Sequence, residues 1–216
     1  MQLTHCSVLV LISGNGSNLQ AIIDDSIHSN YKVCRVICNK ADAYGLTRAA
    51  QAGIPSTVID HRDYGSREDF DSALIDLIDQ EQVDLIVLAG FMRILSPKFV
   101  KHYAGKVLNI HPSLLPAYTG TDTHQRVLDA GEKEHGVSVH FVTEELDGGP
   151  VIAQEKISVE KNDTADTLAD KVHIKEHIIY PKVISWFAAG RIKMESNKAV
   201  MDHEPLPATG IEVHPN

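Results

Sequence analysis

Cysteine is scarce: Cys6, Cys34 and Cys38 are the three among 216 residues, too few for a disulfide framework. Cys34 and Cys38 fall in a strand-like run, where four residues at about 3.3 Å each would hold them about 13 Å apart, beyond disulfide reach. All three read as buried free thiols of a reducing compartment. Long apolar runs are lacking too. Cys6 to Ile12 breaks at Ser13-Gly14, too short for a membrane span and without the basic flank of a leader, so the chain is expected to be cytoplasmic. Runs of Lys and Arg are absent, and 20 basic residues face 29 acidic ones for a formal charge of −9. That balance argues against a nucleic-acid groove or an anionic membrane surface, both of which need a concentrated positive face. It leaves room for a small anion held by local donors. Twelve histidines stand outside the sum, so the charge depends on their surroundings.

No internal repeat, low-complexity tract or interdomain linker is evident, and 216 residues with a 43% hydrophobic composition predict one compact domain, or two closely fused halves, with a sizeable core. Its first half, to about residue 100, alternates strands at 7–12, 33–38, 56–59 and 85–89 with helical patterns at 17–26, 44–52 and 68–80. Such βαβα order with continuous apolar strands predicts a Rossmann-like, mostly parallel sheet with helices on both faces. From 101 to 203 the rhythm changes. A brief strand at 107–109 runs into His111-Pro112, and a long loop reaches about Asp122, a length that makes it a functional suspect. A helix at 124–130, strands at 137–143 and 151–157 and a long helix containing Pro181, expected to kink, follow. Residues 204–216 read as a loose tail.

Strand one ends in Ser13-Gly14-Asn15-Gly16-Ser17-Asn18-Leu19 and opens a helix, where glycines expose backbone N–H groups at a positive helix end. Leu19 stands where a dinucleotide fingerprint needs its third glycine. Asn39-Lys40 stands where a ribose-binding acid would be. A phosphate or sugar-phosphate cradle and a tight turn capped by Ser or Asn both fit these residues. Farther on, Asn109-Ile110-His111 alternates at a strand end, so Asn109 and His111 face one way, at the end where open α/β sheets collect ligands. Asp147 precedes two glycines that let the chain turn sharply. A carboxamide beside an imidazolium suits a developing oxyanion, and a neighbouring carboxylate favours the charged ring. No cysteine or GxSxG elbow supplies a covalent nucleophile. By themselves these three residues also fit ordinary loop chemistry.

The runs Ser13 to Gln20, Ala89-Gly-Phe-Met-Arg-Ile-Leu-Ser-Pro97, Asn109-Ile-His-Pro-Ser-Leu-Leu-Pro116, Gly136-x-Ser-Val-x-Phe141 and Leu146-Asp-Gly-Gly-Pro150 decide the matter. Over residues 5 to 203 the chain resembles the folate-dependent formyltransferases, in particular those of purine (IMP) biosynthesis that formylate the amine of phosphoribosylglycinamide. The resemblance implies a single formyltransferase domain with a mixed C-terminal part of the sheet, 10-formyltetrahydrofolate as formyl donor, no metal, and a monomer or weak homodimer. It implies Asn109, His111 and Asp147 as the catalytic trio, and Gly16, Ser17, Asn18, Arg67, His173 and Glu176 on the ribonucleotide. Met92, Arg93, Ile94, Leu95, Val142 and Thr143, with Asn109 and Asp147, would meet the folate. Ala117, Thr119 and Asp122 depart from the family pattern in the loop after His111. A formyltetrahydrofolate hydrolase and a noncatalytic sugar-phosphate module are the competing functions.

His173 and His177 share a helix face, but Glu176 sits at the wrong offset for HExxH and no third ligand is in view. His124 and His140 are candidates to border the pocket, but a helix-start histidine and a strand histidine read first as surface or packing residues. His5, His28, His61, His102, His135, His203 and His214 read as solvated or turn positions.

Overall fold

A strand covered on both faces needs no alternation of apolar and polar residues, and in this computed structural model, which describes residues 5–213, β1 (Cys6–Ile12) is buried continuously from Val8 to Ile12. β2 (Tyr31–Cys38), β3 (Ser56–Val58) and β4 (Leu85–Leu88) complete the parallel set, in the order β4-β1-β2-β3. Between them run α1 (Ser17–Ser26), α2 (Tyr44–Gln51) and α3 (Arg67–Ile78), with a 3-10 turn at His61–Asp63 before α3. α3 buries Phe70, Leu74, Ile75 and Ile78, the stripe expected of a helix lying on a sheet. α4 (Pro97–His102) starts on Ser96, whose side chain accepts the Phe99 N–H, with Pro97 at the first helical position. The chain divides into two compact units, one ending at Leu108 and one beginning at Asn109.

β5 (Val107–His111) carries the chain from the first unit into the second. There α5 (Thr123–Asp129), β6 (Glu134–Phe141), β7 (Val151–Ser158) and α6 (Ala165–Ala188) follow. β6 and β7 pair antiparallel, the mixed arrangement expected. α6 opens on a reciprocal cap, Thr167 N–H to Thr164 Oγ1 at 3.2 Å and Thr164 N–H to Thr167 Oγ1 at 2.9 Å. It buries Leu168, Val172, Ile179 and Val183 and runs unbroken through Pro181 to Ala188.

The expected loose tail is corrected as far as Val213. β8 (Ile192–Glu195), β9 (Lys198–Met201) and β10 (Glu204–Pro205) form a small antiparallel sheet. β11 (Ile211–Glu212) then adds a parallel edge to β7, with Val213 buried. The edge of β7 supplies the backbone partners that the segment lacks alone. His214 lies outside the described residues.

Candidate active site

In the first unit, Gly16 caps α1 in the left-handed region at φ 76°, where a Cβ would stand 2.8 Å from the Gly45 Cα. The cap makes no side-chain hydrogen bond, and the first turn holds no acid. The positive end of α1 therefore lacks an internal counter-charge, as an anion site requires. Arg48 of α2 pins the loop, its Nε donating to the Asn15 carbonyl at 2.9 Å and its Nη2 to Asn15 Oδ1 at 3.0 Å. Arg48 carries no motif of its own and was legible only as part of α2. Arg67 begins α3 and pairs with Glu68 at 3.0 Å in the open. In the segment after β4, Met92 and Ile94 are 71% and 57% exposed, Leu95 is buried, and the half-buried Arg93 guanidinium lies 6.0 Å from the Phe70 ring. That is an exposed apolar edge beside a cation.

The second unit brings together Asn109 and His111 at the end of β5 and Asp147 in the turn after β6. His111 Nδ1 stands 3.5 Å from Asp147 Oδ2, with both side chains under 10% exposed. Its Nε2 is 2.9 Å from the Tyr118 carbonyl oxygen. One nitrogen thus faces a carbonyl oxygen and the other a carboxylate. The Gly120 N–H donates to Asp147 Oδ2 at 2.8 Å, so the 112–122 loop folds onto the pair. Ser138 and Gln154 hold the base of that loop. Ser138 Oγ donates to the Ser113 carbonyl at 2.6 Å and accepts the Leu115 N–H at 3.0 Å, and Gln154 Nε2 reaches the Leu115 carbonyl at 2.8 Å.

His140 corrects its reading as a packing residue. Its Nδ1 lies 2.9 Å from the Phe141 carbonyl, so that nitrogen carries the proton, and its Nε2 accepts from Asn109 Nδ2 at 3.1 Å. Burial pushes its pKa down to about 4, keeping the ring neutral and able to accept. Asn109 is therefore oriented amide-nitrogen first, with one N–H engaged and a second to offer. Its partner is 31 residues away in sequence, beyond any spacing rule.

Ser113 is fully buried and donates to the Ala117 carbonyl at 2.6 Å. Burial also raises the Cys6 thiol to about 11. Neither is set up as a nucleophile. Val142 and Thr143 are half-buried just after β6. On α6, Glu176 is buried, His173 is exposed, and the His173 and His177 rings lie parallel with centroids 6.4 Å apart. Among the described residues no group of three or more His, Cys, Asp or Glu is placed to hold a metal ion, and no helix is long and apolar enough to cross a membrane. His135 is also corrected, being buried in β6 with Nε2 3.0 Å from His124 Nδ1.

Burial lowers the pKa of His135, like that of His140, to about 4, against 6.5 for a free histidine. The unfolded chain binds protons at these two sites near pH 6.5 and the folded chain near pH 4. Their contribution to stability is therefore whole above pH 6.5 and is lost progressively as the pH falls to 4. Tm is expected to drop across that window, and a His135→Gln variant is expected to show a shallower drop by calorimetry.

A doubly covered parallel sheet, a loop-to-helix turn whose positive end holds no acid, and an Asn-His-Asp cluster fit an acyl-transfer protein without a covalent nucleophile. The formyl transferase family model matches residues 6–184, and the chain belongs to that family. It is 56% identical over 206 residues to the phosphoribosylglycinamide formyltransferase of Escherichia coli (strain K12), covering 94% of this chain and 97% of that one. The human trifunctional purine biosynthetic protein adenosine-3 is 45% identical over 192 residues, 88% of this chain and 19% of that protein. A solved phosphoribosylglycinamide formyltransferase from Coxiella burnetii superposes with a TM-score of 0.93 at 54% identity, over 96% of this chain and 99% of that one.

Proposed function

We propose that this protein transfers the formyl group of 10-formyltetrahydrofolate to the amine of phosphoribosylglycinamide, a step of purine biosynthesis in the cytoplasm. The observation that carries the chemistry is the meeting of Asn109, His111 and Asp147, with acceptors at both His111 nitrogens. The amine nitrogen attacks the formyl carbon, and the C=O π electrons move onto oxygen. Asn109 offers the N–H that His140 leaves free. His111 offers Nε2–H, which the Tyr118 carbonyl accepts in this structure and yields to the oxyanion. As the C=O bond re-forms, the C–N10 bond breaks. The former amine gives up a proton and N10 gains one, relayed through water oriented by Asp147. Gly16, Ser17 and Asn18 receive the phosphate, supported by the uncompensated helix end, with Arg67 and the His173 and Glu176 face completing recognition of the ribonucleotide. Met92 to Leu95, Val142 and Thr143 supply apolar and backbone contacts to the folate.

The test mixes the protein with 10-formyltetrahydrofolate, with and without phosphoribosylglycinamide, and follows the deformylated folate by absorbance. Turnover only with the acceptor is the expected result. Equal turnover without it would make the protein a hydrolase, and ligand binding with no turnover a binding module.

A further inference from the structure

One chain of hydrogen bonds in the first unit crosses the ends of all four of its parallel strands in sheet order. The Met92 N–H, after β4, donates to Ser13 Oγ at 2.8 Å. Ser13 Oγ, after β1, donates to Asn39 Oδ1 at 2.6 Å. Asn39 Nδ2, after β2, stands 3.3 Å from His61 Nδ1 in the turn after β3. Ser13 and Asn39 are buried, at 4% and 2% exposure. The direction of every link is set at one end. A backbone N–H can only donate, so the single Ser13 proton points to Asn39, the Asn39 amide turns its oxygen to Ser13, and its nitrogen is left to donate to His61 Nδ1.

Ser13 immediately precedes the anion loop. Met92 belongs to a segment whose side chains Met92 and Ile94 face solvent, so packing does little to hold it. From this geometry we infer that Ser13 is a positioning residue that couples the two substrates. Closing the Gly14 to Asn18 loop on a phosphate fixes the Ser13 hydroxyl and, through it, the Met92 backbone. The inference rests on the reading that the loop takes the ribonucleotide phosphate and residues 92–95 the folate. Coupling of this kind is reciprocal: each ligand tightens the other by the same factor, about 5-fold or more for a single shared element. Without the hydroxyl, the buried Asn39 oxygen and the Met92 N–H lose their common partner.

The test is amide hydrogen exchange on the full chain, wild type and Ser13→Ala, with and without phosphoribosylglycinamide as the sole ligand. In the wild type, amides of 14–18 and of 90–94 are both expected to slow. In Ser13→Ala those of 14–18 still slow and those of 90–94 do not. Steady-state kinetics of the variant should show the folate KM raised about tenfold with kcat within about threefold, a split that a general loss of structure would not produce. Protection of 14–18 without 90–94 in the wild type overturns the coupling and spares the phosphate reading. Equal protection of 90–94 in the variant overturns Ser13's part in it. No protection of 14–18 overturns both. If Ser13→Ala does not fold, Ser13→Cys, which fills the same space with a weak hydrogen-bonding thiol, is judged by the same outcomes.

Discussion

Asp147→Asn is expected to lower kcat by about 10²- to 10³-fold while leaving the KM for phosphoribosylglycinamide within a few-fold. Asp147 Oδ2 accepts the Gly120 N–H at 2.8 Å and faces His111 Nδ1 at 3.5 Å, with the carboxylate 8% exposed. An asparagine of the same shape can place its oxygen at the Oδ2 position and face both donors, but it brings no charge. Its amide nitrogen would then take the Oδ1 position, 4.0 Å from His140 Nε2. The His111 ring would lose the neighbouring negative charge that favours its charged form. Charge-assisted donation is roughly twice as strong as neutral donation, and the difference is largest when the acceptor itself becomes an anion. The loss should therefore appear in kcat. His111→Asn should fall by a comparable factor, and the double variant by little more than either single one, because the two act as a unit. Single-turnover measurements at saturating substrates would check this. Near-native turnover in both single variants would remove the pair from the reaction.

The parts of the fold legible in sequence were those whose burial leaves a periodic or continuous apolar trace. β1 from Val8 onward and β4 throughout are buried runs with no polar interruption, and α3 and α6 repeat apolar residues at helical spacing. α4 has six residues, too few to establish a period. β8 and β9 are joined by a turn in which Ser196 and Asn197 both take positive φ, 46° and 59°. Asn tolerates that region and Ser does so less readily, so the Asn-Gly signal of a two-residue hairpin is missing. β10 and β11 have two residues each and exist by virtue of the strands beside them. The same division runs through the site. The spacing of Asn109 and His111 shows that they share a side, and the turn at Asp147 announces itself by its glycines. The partners that orient them are long-range: His140 lies in a strand buried on both faces, where an imidazole looks like filling. The Tyr118 carbonyl and the Gly120 N–H are backbone groups that any residue would carry.

Gly149→Ala is expected to lower both stability and turnover, whereas Gly148→Ala beside it should do little. A Cβ on Gly149 would fall far inside van der Waals contact with the Phe141 carbonyl oxygen, with the Thr143 Cγ2 3.2 Å away. Phe141 ends β6, and its N–H donates to the Pro150 carbonyl at 3.1 Å. The Phe141 carbonyl is backbone and cannot swing aside as a side-chain tip can, so backbone must move. The cost of such overpacking, about 3 kcal/mol, corresponds to a Tm fall of about 10 °C for a chain of this size. Two residues upstream stands Asp147, already at φ 52°, and a displacement of about 1 Å in a reacting group can cost about 10²-fold in rate. The three atoms nearest a Cβ on Gly148 all belong to the exposed side chain of Glu145, which can shift at less cost than backbone. Calorimetry and steady-state kinetics on the two variants separate the effects. A Gly149→Ala protein that keeps its Tm but loses kcat would mean that the turn gives way before the strand does. One that loses Tm and keeps kcat would mean that Asp147 finds His111 without help from the turn, and the rigid placement argued for the carboxylate would fall with it.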